Sequence, residues 1–152
     1  MIDTLRNRLV ERWGHSEEEA KKRVVKFDVQ KVEELINGDW TQETKALYET
    51  NNHPDVVENG LDGLVGGKVV DLIIGGPPCQ AYSIAGRAQS PTGMKDDYRN
   101  FLFESFVKIV DHFKPKAFIF ENVPGLLTAC PGDTPVRVRI FEAFKAIGYD
   151  IS

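Results

Sequence analysis

A cysteine stands at the end of a stiff, glycine-led turn: Gly75-Gly76-Pro77-Pro78-Cys79-Gln80. Two glycines let a chain leave a strand at angles closed to other residues. Two prolines then fix φ and stiffen the turn. A rigid turn that aims a thiol suits a nucleophile, although a buried, inert cysteine is the commoner fate of the residue. Cys130, in a bare Ala-Cys-Pro setting, reads as inert. The second chemical feature is Glu121-Asn122-Val123, directly after the apolar run Ala117-Phe118-Ile119-Phe120. A carboxyl group placed so close to a dry core is expected to lose water, which raises its pKa and lets it keep a proton and donate a hydrogen bond. Read alone, Glu121 equally suits a helix-capping or surface acid.

Both features need elements to hold them. Residues 68–74 are apolar and β-branched, bounded by Gly66-Gly67 and by the Gly-Gly-Pro-Pro turn, which predicts a buried parallel strand. Residues 79–97 have no period and predict a long loop of the kind that carries function. Residues 98–113 predict a helix with Leu102, Phe106, Ile109 and Phe113 on its inward stripe, closed by Lys114-Pro115. A second buried strand is expected at 116–120. A further helix should follow, capped by Thr134, with Pro135 at its first position, Phe141 and Phe144 facing inward, and Gly148 at its end. Residues 149–152 look like the start of another strand. Segment 68–121 is thus a strand–loop–helix–strand unit, expected to be right-handed. Ligands bind beyond the carboxyl ends of strands in such sheets, and neighbouring strands would bring Cys79 and Glu121 to one crevice.

Residues 1–52 are polar and charge-rich. Ser16 before three glutamates predicts a helix start. A rough helical period runs through Ala20, Val24, Val25, Val29, Val32, Leu35 and Ile36. Thr41-Gln42-Glu43-Thr44 opens another short helix, which His53-Pro54 should stop.

The chain has 152 residues, 41% hydrophobic and 28% charged, an ordinary globular balance for about one domain. The charged N-terminus is no signal peptide, and no apolar run is long enough to span a membrane, so a cytoplasmic location is expected. Two cysteines and three scattered histidines give no metal spacing and no disulfide framework. The net charge of −4 argues against an extended nucleic-acid surface on this chain alone.

Taken together, the motifs are far more specific than either is alone. Gly-Gly-Pro-Pro-Cys-Gln-Ala-Tyr-Ser at 75–83 resembles the nucleophile motif of cytosine-C5 DNA methyltransferases. Phe-Glu-Asn-Val-Pro-Gly-Leu-Leu at 120–127 resembles that family's Glu-Asn-Val motif. Asp97-Tyr-Arg-Asn-Phe-Leu-Phe103 is similar to its Asp-x-Arg-x-x-Leu-Phe helix start. Order and spacing agree, and the resemblance covers about 53–152.

The resemblance implies an α/β protein: a partial Rossmann-like S-adenosylmethionine-dependent methyltransferase fold with parallel strands and flanking helices, preceded by a helical segment. Residues 1–52 would be that segment or an insertion, and 53–152 a partial catalytic domain. It implies Cys79 as the thiolate that adds to C6 of a flipped cytosine, and a protonated Glu121 on ring N3 and the exocyclic amine. The Pro77 carbonyl would face that amine. Gln80, Ser83 and Arg87 would contact the displaced strand or its phosphates, in a loop that closes over DNA. Asn122 and Val123 would belong to the substrate site, and Pro78 and Leu102 would lie near S-adenosylmethionine.

The family's Phe-x-Gly-x-Gly cofactor segment, its Gln-Arg-x-Arg segment and its target-recognition region are not found. Arg137-Val138-Arg139 is no substitute, because it lies in a predicted helix with no Gln before it. Glu58 or Asp62 could stand where the family places the acid that meets the adenine. The expectation is therefore a central catalytic piece: an excised core, a subunit needing a complementary partner, or a relic, inactive by itself. Its acidic balance suits a piece without the DNA-reading surface. A transfer-RNA cytosine methyltransferase, with the same Pro-Pro-Cys-Gln arrangement, and a catalytically silent binding module are the competing readings.

Overall fold

The computed structural model describes residues 1–77, 102–130 and 133–152. Cys79, Pro78, Gln80, Ser83 and Arg87 lie outside the described residues, as does the loop expected at 79–97. The chain forms two compact units, Met1–Val69 and Val70–Ser152.

The first unit is helical: α1 (Ile2–Trp13), α2 (Glu17–Arg23), α3 (Val32–Asn37), α4 (Gln42–Glu49) and α5 (Pro54–Val65). Ser16 caps α2, its hydroxyl accepting from the Glu19 N–H at 3.1 Å, and Thr41 caps α4 through the Thr44 N–H at 3.2 Å. Both starts were legible, because a side-chain oxygen there satisfies an orphan amide. The helical period through residues 20–36 does not hold. Residues 24–28 leave the helix because other side chains take their backbone groups. The Arg6 guanidinium donates to the Val24 carbonyl at 2.9 and 2.7 Å. Asn52 accepts from the Lys26 N–H and donates to the Lys26 carbonyl, each at 2.9 Å. The Tyr48 hydroxyl accepts from the Asp28 N–H at 2.7 Å. Each pairing replaces one that a helix would have made.

His53-Pro54 ends nothing. Helix α4 stops at Glu49, and Pro54 is the first residue of α5, where its missing N–H costs no hydrogen bond. Helices α3 and α5 meet at Gly60, whose φ of 61° interrupts α5 and whose bare Cα lies against the Leu35 carbonyl.

The second unit holds β1 (Leu72–Gly75), α6 (Leu102–Phe113), β2 (Ala117–Phe120), a 3-10 turn (Pro124–Thr128) and α7 (Val136–Ala146). β1 and β2 pair in parallel, Leu72 opposite Ala117 and Gly75 opposite Phe120. The predicted strand at 68–74 is therefore shorter and later than its apolar run. One face of the pair, Ile73, Phe118 and Phe120, packs on the core that α6, the 3-10 turn and α7 supply. Leu72, Ile74 and Ile119, on the other face, are exposed.

Three side-chain assignments change. Leu102 and Phe106 are buried on α6 as expected, with Phe103, Val107 and Val110, but Ile109 and Phe113 are only partly covered. The helix is apolar over so much of its circumference that periodicity alone does not choose the stripe. On α7, Phe144 is fully buried but Phe141 is 51% exposed. That helix begins one residue late, with Pro135 as its cap and no side-chain bond from Thr134. The Ala129 carbonyl instead accepts from the Val136 N–H at 2.9 Å. Residues 149–152 form no strand. The Tyr149 hydroxyl donates to the Pro115 carbonyl, which ties this segment to the turn before β2.

Candidate functional site

The pairing of β1 with β2 sets the site's geometry. The Glu121 N–H donates to the Gly75 carbonyl at 2.9 Å, which carries the ladder one step past β2. In a parallel pair with Gly75 opposite Phe120, the next residues in register are Gly76 and Glu121. Their proximity follows: a Cβ on Gly76 would lie 2.7 Å from Glu121 Oε2 and 3.2 Å from the Glu121 carbonyl. Asn122 completes the junction. Its Nδ2 is 3.5 Å from the Pro77 carbonyl oxygen, a long contact, and its Oδ1 accepts from the Val123 N–H at 2.8 Å. The four residues Gly76, Pro77, Glu121 and Asn122 thus form one cluster at the carboxyl ends of both strands.

Two expectations change here. Glu121 is exposed, not set close to a dry core, so the described residues do not supply the expected desolvation. The two glycines do not serve to bend the chain either. Neither Gly75 nor Gly76 has a positive φ. A Cβ on Gly75 would collide with the Phe106 ring, whereas one on Gly76 would meet the end of the Glu121 side chain. Sequence reasoning assigned these glycines to backbone freedom and missed Gly76 as part of the site. The signal available was its register opposite Glu121.

An apolar cavity of about 350 Å³ opens beyond β2 on the core side, lined by Phe118, Phe120, Asn122, Val123, Ile140 and Phe141 among others. Glu121 does not line it, but Asn122 does, so the cavity adjoins the cluster through Asn122. Leu102, expected near the cofactor, is 7% exposed and is not among the cavity's lining residues. Glu58 and Asp62 are on α5 of the first unit, and Glu58 pairs with Lys45 at 2.8 Å. Arg139 lies on α7, bonded to Glu104 at 3.3 Å with its guanidinium over the Phe103 ring. Among the described residues, no cluster of His, Cys, Asp and Glu could hold a metal ion, and no helix is long and apolar enough to cross a membrane.

The family described as C-5 cytosine-specific DNA methylase matches residues 24–152, reaching upstream of the segment that carries the motifs. Type II methyltransferase M.Bpa9945I of Bacillus paralicheniformis is 57% identical over 82 residues, 54% of this chain and 18% of that protein. M1.HphI of Haemophilus parahaemolyticus is 45% identical over 82 residues, 54% of this chain and 21% of that protein. M.HgiCII of Herpetosiphon aurantiacus is 43% identical over 113 residues, 72% of this chain and 24% of that protein. The matched regions thus span between 18% and 24% of these relatives. No solved structure matches. With a family match over most of its length, the chain belongs to the C-5 cytosine-specific DNA methylase family.

Proposed function

We propose that this chain carries the reacting centre of a DNA cytosine-C5 methyltransferase, with Cys79 as nucleophile and Glu121 as the acid that activates the base. The observation that carries the reading is the register of β1 with β2, because it holds Glu121 across from Gly76, three residues before Cys79 in the sequence. The two strands are read as part of a larger Rossmann-like sheet.

The chemistry explains why a thiol and a carboxyl group are wanted together. C5 of cytosine is a weak nucleophile. Addition of the Cys79 thiolate to C6 moves electron density to C5, which then takes a methyl group. A base then takes the C5 proton, and the electron pair of that C–H bond expels the thiolate and restores the ring. A free thiol is only a few per cent ionised near neutral pH, so the ring must be made more receptive. Glu121, holding a proton, donates to N3, and its second oxygen accepts from the exocyclic amine. The Pro77 carbonyl accepts a further amine hydrogen, and its two lone pairs allow Asn122 to share it. A base entering the crevice removes water from the exposed Glu121 carboxyl group, which favours the neutral acid. S-adenosylmethionine supplies the methyl group when bound.

The target carbon is closed off inside a duplex, so the cytosine is flipped out at a cost of a few kcal/mol. Gln80, Ser83 and Arg87 are assigned to the DNA, Val123 to the flipped base, and Pro78 and Leu102 to the cofactor's surroundings. The remainder of the enzyme, or a complementary subunit, supplies the cofactor seat and the DNA-reading surface, and the isolated chain is inactive. This role suits restriction-modification.

The test is covalent trapping. The complete gene product, given S-adenosylmethionine and DNA containing 5-fluorocytosine, should form an adduct that survives denaturation. Cys79→Ser should abolish it, and Glu121→Gln should slow it by roughly 10²- to 10⁴-fold, the usual worth of a positioned acid. Adduct formation by Cys79→Ser would overturn the reading. Trapping on RNA and not on DNA would transfer the chemistry to the other substrate.

A further inference from the structure

Two adjacent glycines in one turn invite a single explanation, but these two face opposite ways. Successive residues of a strand point to opposite faces. Gly75 shares the core face with Ile73, and its missing Cβ leaves room for the Phe106 ring, whose Cδ2 would be 2.7 Å away. Gly76 shares the other face with Ile74, and its missing Cβ leaves room for Glu121 Oε2. Neither position needs glycine for its φ. The first is a packing requirement of the core. The second is a requirement of one carboxylate outside it.

Resting on the proposed role of Glu121, we propose that Gly76 is a positioning residue for the reaction: its bare Cα is the seat beside which the Glu121 carboxylate lies. The Glu121 main chain is already fixed by its bond to the Gly75 carbonyl. What remains free is the side chain, and Gly76 decides where its end can lie. A methyl group there takes a volume the carboxylate occupies. The backbone of Glu121 is also close, with its carbonyl 3.2 Å from that methyl, so displacement of the side chain is the smaller adjustment. The expected consequence of Gly76→Ala is therefore a folded protein whose acid points away from the base.

Two measurements separate this from a general loss of structure. In the 152-residue chain labelled with 13C at glutamate, the Glu121 carboxyl resonance, assigned through Glu121→Gln, should move in Gly76→Ala, while the other glutamate carboxyl resonances stay in place. A Glu121 resonance that does not move overturns the proposal. In the complete gene product, Gly76→Ala should slow adduct formation with 5-fluorocytosine DNA at least tenfold, yet cost less than twofold when introduced into Glu121→Ala. Equal losses in both backgrounds overturn it, because a residue acting through Glu121 has nothing to act on once that carboxylate is gone. If Glu121→Ala itself leaves adduct formation intact, the reading of Glu121 as the acid fails. The moved resonance would then still support Gly76 as the seat.

Discussion

Phe118 on β2 lies flat over Phe144 on α7, with ring centroids 4.2 Å apart and planes 18° apart. Phe144 is fully buried and also meets the edges of Phe106 and Phe120 at about 6 Å, centroid to centroid. This ring therefore joins the sheet to both flanking helices of the second unit. Phe144→Ala should destabilise that unit by about 3–5 kcal/mol, the usual cost of emptying an aromatic site in a core. Urea unfolding followed by near-ultraviolet circular dichroism measures it. A loss below 1 kcal/mol would mean that the site collapses freely.

Arg6 should matter in the first unit out of proportion to its charge. It is 9% exposed, and its guanidinium donates to the carbonyls of Val24 and Asn51, closing α1 over two segments distant in sequence. Arg6→Ala should cost roughly 1.5–3 kcal/mol, the range for hydrogen bonds to a charged donor. Arg6→Lys should recover only part of this, because an ammonium lacks the planar fork that reaches both carbonyls. Full recovery in Lys, read from thermal melts, would count against the fork.

Tyr48 gives the first unit an alkaline limit. Burial pushes its phenol above the usual tyrosine value of 10.0. The bond from the Asp28 N–H opposes this, and the carboxylates of Asp28 and Glu34 add to the rise. A raised value in the folded state means that the contribution to stability is complete below about pH 10 and is lost as pH climbs through the folded value. Tyr48→Phe should cost about 1–3 kcal/mol at neutral pH by leaving the Asp28 amide unpaired. It should also flatten the fall in stability above pH 10. A wild-type alkaline transition unchanged by the substitution would contradict this origin.

The second unit was the more legible half, for reasons that individual residues show. Phe118 and Phe120 sit in a short apolar run bounded by Lys116 and Glu121, and the parallel pairing follows from a helix lying between two such runs. The glycine–proline turn and the Glu-Asn-Val motif carry their chemistry in their residue types, so both motifs are readable from the sequence alone. The positioning role of Gly76 is not, because it depends on which residue lies opposite, and register is a property of two strands. In the first unit, Val24 and Val25 carry a helical spacing that Arg6 and Asn52 override from 18 and 26 residues away. Helix α5 was hidden for another reason: a proline reads as a stop or as a start depending on whether the amide it removes was needed, and only the preceding turn decides that.

Leu72, Ile74 and Ile119 remain exposed on the face toward which Gly76 and Glu121 also point. Glu121 therefore stands at the rim of an apolar plane, and it keeps its full hydration only while that plane is bare. A layer laid over Ile74 and Ile119 would also cover one flank of the carboxyl group. The strands fix where the group is, and whatever meets that plane fixes how much water reaches it.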